Sequence, residues 1–389
     1  MKKVLIVVEN LPLPFDKRVW QEAKSLQEAG YSVFAICPKM GSFTEKYELI
    51  DGVHIYRHPL VEAKTKLGYP GEYLMALFWQ TFLAWKIYLK QRFHIIHACN
   101  PPDTIFLVAL PFKILGCKFV FDHHDLCPEL FLTKFGTRGL GFRILLFLEK
   151  MTFKLADISI ATNESYRDIA ISRGGMKSKR VHVVRSGPSL SRLRIQPGTE
   201  AHKMGKRYLI GYIGVIGEQE GIDHLLQAVR YLVNDVGRVD FQVAIIGSGP
   251  ALDSMKVLAD QMDLSDRVTF YGRVEESVLL DILNTADVCV NPDVGTEMND
   301  KSTMNKIMEY MCLGKPVVQY DLTEGRFSAG DASLYAIVDD PVDFAKKINR
   351  LLDEPALRKS MGLSGRKRIE QELSWEHEQP KLLKAYESL

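Results

Sequence analysis

Short apolar runs alternate with longer stretches of helical period along most of this 389-residue chain. KVLIVV at residues 3–8 precedes a helical pattern over 15–29. YSVFAICP at 31–38, a strand near Val53 to Tyr56 and a long apolar helix follow, then HIIHACN at 94–100 and KFVFDHH at 118–124. A second series begins with RYLIGYIG at 207–214 and continues through helices over 223–236 and 251–261, with FQVAIIGSG, VTFYG, ADVCVNP and KPVVQY as its further strands. Strands that read as continuous apolar runs need both faces covered, so each series predicts a parallel sheet wound by helices. The expected fold class is α/β, with two Rossmann-like, doubly wound domains. Such sheets take ligands beyond the carboxyl ends of their strands, so two facing domains imply a central cleft.

Residues 185–206, RSGPSLSRLRIQPGTEAHKMGK, are poor in apolar side chains and carry Pro188 and Pro197, the marks of a linker. They separate a first domain over 1–190 from a second over 205–373, with the boundary near residue 200. The last stretch, 374–389, is helical, is expected to kink or restart at Pro380, and is a candidate for crossing back to the first domain.

Composition changes this picture little. With 50 basic and 48 acidic residues, the net charge of +2 gives no reason to expect nucleic acid as a partner. Six cysteines without a C-x-x-C pair read as reduced thiols. No apolar run reaches the length of a membrane span, and Val4 to Val8 is too short for a signal segment, so a cytoplasmic location is expected. The segment from Gly71 to Arg92 is apolar on nearly all sides, with Trp79, Trp85 and Tyr88 beside Lys86, Lys90 and Arg92. Two readings stand for it: a helix sandwiched against the first sheet, or one in peripheral contact with the inner face of a membrane.

The stretch NDKSTMNKIMEYMCLGKPVV at 299–318 carries more polarity at a helix start than a core helix needs. Ser302 or Thr303 is expected to cap a helix running to Leu313, with Gly314 as its left-handed stop and Pro316 beyond. A helix starting beyond a strand end offers free N–H groups and a positive dipole end to a phosphate, and Lys301, Asn305 and Lys306 sit there. Glu309, three positions after Lys306, suits ribose hydroxyls; the plainer reading is a surface Lys306–Glu309 pair. No G-x-G-x-x-G follows either opening strand, which counts against a dinucleotide-dependent dehydrogenase.

MNKIMEYMCLGKPVV, ADVCVNP, FYGRV and the amino-terminal LPLPFDKRVWQEAKSLQEAGYSV, supported by HACNPPD and FDHHDLCPE, resemble the family 4 glycosyltransferases over nearly the whole chain. The resemblance implies the GT-B architecture and transfer of a sugar, with retention of configuration, from a nucleotide-sugar donor to a saccharide or lipid-linked acceptor, as in bacterial surface polysaccharide synthesis. The nucleotide sugar is then a substrate; no cofactor and no metal are implied. Glu309 matches the second acid of the family's E-x7-E motif, which takes the ribose hydroxyls. The first acid falls at Lys301, so Asp300 or a backbone group replaces it or the donor sugar is held differently. Where the family carries an arginine and a lysine for the diphosphate, this chain has Val215 and Glu220. Gly214 and Gly217 of that loop stay as donor-binding candidates with Ser302, and the missing charge falls to Lys301, Lys306 and Arg273; Arg273 reads equally as a loop residue packing by its stem.

In the first domain His124 matches the histidine that reaches the donor sugar near the reacting carbon; alternatively His124 and Asp125 form a turn, with Asp125 capping the next helix. Four successive side chains from Asp122 to Asp125 cannot converge from an extended chain, which speaks against a metal. Asp16, Lys17, Arg18 and Asn100 also follow strands. Caps and first-turn prolines account for much of these segments, and Lys17 and Arg18 remain candidates to hold an acceptor or a phosphate. No covalent nucleophile stands out, which suits front-face displacement with Lys306 stabilising the departing diphosphate and His124 at the sugar. The rivals are a sugar-nucleotide epimerase of the same shape and a two-domain solute-binding protein.

Overall fold

The computed structural model describes residues 2–60 and 69–389. They form two compact units, Met1–Ser186 with Glu378–Leu389, and Gly187–His377.

In the first unit the strands β1 (Lys3–Val7), β2 (Ser32–Pro38), β3 (Tyr47–Ile50), β4 (Val53–His58), β5 (Ile95–Cys99), β6 (Lys118–His123), β7 (Ile158–Ala161) and β8 (Val181–Val183) lie in the order β3-β4-β2-β1-β5-β6-β7-β8. All neighbours pair in parallel except β3 with β4. That half-exposed edge hairpin escaped the apolar pattern because YELI buries neither face. The helices are α1 (Lys17–Glu28), α2 (Tyr69–Gln91), α3 (Phe106–Ile114), α4 (Cys127–Phe135), α5 (Leu140–Leu155) and α6 (Glu164–Ser172). Of the two readings for α2, the structure bears out the helix packed against the sheet. Ala84, Ile87 and Tyr88 pack into a core with Leu5, Phe34 and Phe112, so the helix does cover the sheet, while Leu74, Phe78 and Phe82 face outward.

The second unit holds β9 (Tyr208–Ile213), β10 (Phe241–Ile246), β11 (Val268–Gly272), β12 (Val288–Asn291), β13 (Val317–Tyr320) and β14 (Ser333–Ala336), all parallel, in the order β11-β10-β9-β12-β13-β14. Its helices are α7 (Ile222–Asn234), α8 (Leu252–Gln261), α9 (Glu276–Thr285), α10 (Glu297–Lys301), α11 (Asn305–Cys312), α12 (Thr323–Ala329), α13 (Pro341–Asp353) and α14 (Pro355–Arg368). Both sheets run outward from their first strand in one direction and resume on its other side. The switch points fall between β1 and β5 and between β9 and β12, where ligand sites of wound sheets form.

Two expectations are corrected here. The segment taken as a linker belongs to the second unit: Leu193 is fully buried in its core, Gln196 N–H donates to Asn284 Oδ1 at 3.0 Å, and Thr199 N–H donates to Thr285 Oγ1 at 2.8 Å. The units divide at 186/187, well before residue 200, because one apolar side chain and a ladder of polar contacts suffice to pin a strap that lacks a periodic pattern. The last helix, α15 (Trp375–Glu387), runs through Pro380 unbroken. The break lies earlier, where a π turn over Ile369–Leu373 ends at extended Ser374. Residues from Glu378 onward rejoin the first unit, burying Leu382, Ala385 and Tyr386.

Candidate functional site

At the second unit's switch point the chain leaving β9 is squeezed between two other loops. A Cβ at Gly247 would lie 1.8 Å from Gly214 O, one at Gly249 2.4 Å from Ile216 O, and one at Gly221 2.0 Å from Pro292 O. Glycine is required at all three because backbone meets backbone. Asn299 Nδ2 ties the loop further, donating to Gln219 O and Val294 O at 2.9 Å each.

Lys306, in the first turn of α11, points into this junction. Its ammonium donates to Asp293 Oδ1 at 2.7 Å, lies 5.0 Å from the Tyr212 ring centroid, and would stand 3.6 Å from a Cβ on Gly214. Burial works to lower its pKa, but Asp293, Tyr212 and Glu220 outweigh it and hold the ammonium charged. An ammonium has three donors, and the bond to Asp293 uses one of them. Asp293 is itself buried and keeps Oδ2 without a hydrogen-bond partner. Glu220, where a cation was expected, lies against Gly217, whose Cβ would meet its Oε2 at 2.5 Å. Burial raises its pKa, which weakens it as an opposing negative charge.

The Lys306–Glu309 pair does not form. Glu309, next to Lys306 on the helix, is held by Arg192 of the strap, which also donates to Glu276 Oε1 at 2.6 Å. The single capped helix is also corrected. The chain makes α10, breaks at Ser302 and Thr303, and starts α11 after Met304, with no side-chain cap. Ser302 Oγ instead donates to Met298 O at 2.7 Å, and Lys301 pairs with Glu297 at 2.7 Å on α10. Gly314 is left-handed, as expected. Asn305 is exposed at the head of α11, and Arg273 is exposed after the edge strand β11. Asp300 caps a neighbour instead of facing this junction, accepting from Thr323 N at 2.8 Å.

In the first unit, Arg18 anchors a buried polar cluster at the ends of β5 and β6. Its guanidinium donates to Asp122 Oδ1 at 2.9 Å, Val184 O at 2.9 Å and Ser186 Oγ at 3.2 Å, contacts His124 Nε2 at 3.0 Å, and pairs with Glu22 at 3.1 Å. Its donors are thus committed within the protein, and Arg18 organises the site instead of presenting itself outward. Asp16 caps α1 through Val19 N at 3.1 Å, and Lys17 is exposed. His124 Nε2 is bonded to Asp122 Oδ2, which also lies 3.3 Å from His97 Nε2. Burial alone would raise the pKa of Asp122, yet Arg18 and His124 hold it well below the carboxylate range. Glu22, equally buried, is pushed well above it by burial and by Asp122.

Asp125 does not cap α4, whose preceding residue Leu126 makes no side-chain cap. Asn100 fixes the turn instead: Oδ1 accepts from His124 N at 2.7 Å and Asp125 N at 3.2 Å, while Nδ2 donates to Asp125 O at 2.7 Å. Asp122 and His124 do share a side of the strand, joined there by Glu22, whereas His123 points away into Phe153 and Tyr166. Their ligand atoms come within 4.8 Å of one another, as do those of His97, Cys99 and Asp122. The Arg18 guanidinium already supplies positive charge to Asp122 and Glu22. Glu22, His97 and Tyr386 are members of this cluster that no local pattern marks, since they come from three separate elements.

Two doubly wound units, each with its polar residues gathered at a switch point, define the GT-B class of glycosyltransferase fold. Solved structures agree: sucrose-phosphate synthase of Thermosynechococcus elongatus superposes with a TM-score of 0.82 at 17% identity, over 100% of this chain and 98% of that one. HepE of Anabaena, solved with UDP and glucose, gives 0.75 at 14% identity over 100% of both chains. Residues 17–192 match the model described as Glycosyltransferase Family 4, and 207–354 that described as Glycosyl transferases group 1. The chain belongs to the family 4-type GT-B glycosyltransferases. Among curated relatives, the 2-deoxystreptamine glucosyltransferase of Streptomyces kanamyceticus is 27% identical over 52% of this chain and 53% of its own length. The capsular polysaccharide biosynthesis glycosyltransferase CapM of Staphylococcus aureus is 24% identical over 61% and 63%. The matched stretch thus spans about half the length of the first relative and under two thirds of the second.

Proposed function

We propose that the protein transfers a glycosyl unit from a nucleoside diphosphate sugar to a saccharide or lipid-linked saccharide acceptor, with retention of configuration and without a metal. The observation that carries this reading is the Lys306 ammonium, held charged by Asp293 at the first turn of α11 and directed at the glycine loop after β9. Leaving of the diphosphate concentrates negative charge, and a fixed ammonium beside helix N–H groups stabilises that charge more in the transition state than in the bound donor. Glu309, one helical turn on and oriented by Arg192, is the group we assign to the hydroxyls of the nucleotide ribose. His124, held through Nε2 by Asp122, is the group we assign to the donor sugar. The HepE structure with UDP and glucose, and relatives named for glucosyl transfer and capsular polysaccharide, support the reading of a nucleotide-sugar-dependent glycosyltransferase.

Thermal-shift measurements against a panel of nucleoside diphosphates and their sugars test it, because a ligand that binds only the folded state raises Tm. A response to one sugar nucleotide and its bare diphosphate, followed by acceptor-dependent release of that diphosphate, is expected. Conversion of the donor alone into an isomer would point to an epimerase, and silence across the panel would overturn the reading.

A further inference from the structure

Helices α2, α3 and α5 press one side each into a shared core, through Ile87 and Tyr88, Val108 and Phe112, and Phe153. α3 touches both of the others, so their opposite sides make one outer surface of the first unit. On α2 that side carries Leu74, Phe78, Phe82 and Leu89, repeating at intervals of four and seven residues and each more than half exposed. α3 adds Ile114, the most exposed large apolar residue among those described at 77%, and α5 adds Leu140, Ile144 and Phe147 at helical spacing. Scattered apolar side chains on a surface need no explanation, but three adjacent helices that all turn such a stripe to water mark a contact site.

The charges around these stripes are of one sign. Lys86 and Lys90 continue the α2 stripe, Arg92 follows it, and Arg143, Lys150 and Lys154 flank that of α5, all exposed. Among the described residues no carboxylate on the three helices is exposed: Glu149 is buried against Arg173, and Glu72 is half-buried near Glu9. Glu149 and Glu72 therefore do not offset the cations at the surface. A second copy of the chain seated on this face about a two-fold axis would set like charges against each other. A surface that is negative and apolar beneath satisfies both features, with the side chains of Phe78 and Phe147 in the acyl boundary and the lysines among headgroups.

We propose that this face docks on an anionic phospholipid bilayer. No helix among the described residues is long and apolar enough to cross a membrane, so the contact is peripheral. The inference does not depend on the donor site, and its test requires no turnover.

The full chain is sedimented with vesicles of phosphatidylcholine alone or mixed with phosphatidylglycerol. Binding is expected to the mixed vesicles only and to fall steeply with added salt, because the attraction is screened within a Debye length. Phe78→Ser/Phe147→Ser and Lys90→Glu/Lys150→Glu, on exposed positions that leave the core intact, are each expected to lower the bound fraction roughly tenfold. Unchanged circular dichroism melts show that both variants fold. Absence of binding, equal binding to both vesicle types, or wild-type binding by both variants overturns the proposal. So does a dimer in sedimentation velocity that the Phe78→Ser/Phe147→Ser variant abolishes, which would assign the face to a second copy.

Discussion

Arg192 and Glu309 form an ion pair across 117 residues of sequence, and Glu276 on α9 shares the same guanidinium. Burial would lower the arginine's pKa, but Glu309 and Glu276 outweigh it, so one cation fixes two carboxylates. If Glu309 receives ribose hydroxyls, its orientation depends on that clamp. Arg192→Ala is expected to raise the KM for the donor about tenfold while kcat changes only a few fold, since an interaction made equally in ground and transition states acts on binding. A tenfold fall in kcat at constant KM would place Glu309 elsewhere in the reaction.

Lys306 and Asp293, bonded at 2.7 Å, are expected to be coupled in stability and, if Lys306 meets the departing diphosphate, in chemistry. Lys306→Ala leaves a buried carboxylate unpaired and is expected to cost on the order of 3 kcal/mol in urea unfolding. Lys306→Ala/Asp293→Asn should recover most of that stability. It should not recover activity: kcat is expected to stay down about 100-fold or more, the effect of removing one donor from a site of developing charge. Recovery of both together would make the pair purely structural.

Tyr386 reaches the first unit's cluster from the last helix, bonding His97 Nδ1 at 2.7 Å with both side chains buried. His97 in turn lies against Asp122 and Glu22. Tyr386→Phe strips the ring nitrogen of its partner without opening a large cavity and is expected to lower unfolding stability by about 1–3 kcal/mol. Because Asp122 holds His124, we expect kcat to fall as well while the donor KM stays within a few fold. Equal Tm and equal kcat would show that the hydroxyl contributes nothing.

Glu9, two residues beyond β1, has its pKa pushed up to about 8, first by burial and then by Glu72. Folding therefore takes up a proton at this carboxyl between its ordinary value of 4.5 and about 8. Stability from this group is present at low pH and is lost as pH rises through that window. Glu9→Gln, which keeps the shape without the titration, should match the wild type near pH 5 and exceed it by roughly 1–3 kcal/mol near pH 8. A difference that shrinks as pH rises would reverse the assignment.

Much of the fold is legible in the apolar pattern of the chain. The apolar runs at 3–8, 94–100, 118–124 and 207–214 became β1, β5, β6 and β9, because a strand buried on both faces leaves a continuous signature. The edge strand β3 left none. The left-handed Gly314 was readable from its place between the last apolar residue of a helix and a proline. The break between α10 and α11 was not, since Ser302 and Thr303 suit a cap equally well, and Ser302 closes the preceding helix instead.

Lys306, Glu309 and His124 were singled out from order along the chain, but their partners were not. Asp293, Arg192 and Asp122 with Arg18 are brought to them by strand order and by a strap with no periodic pattern. What the sequence by itself determined is the two wound sheets and the polar positions beyond their strands, because burial period and helix ends are local properties that a short window contains. Only the tertiary structure decided which charge faces which, because ion pairing follows distance in space, and residues 13, 117 and 104 positions apart meet only once the sheets have formed.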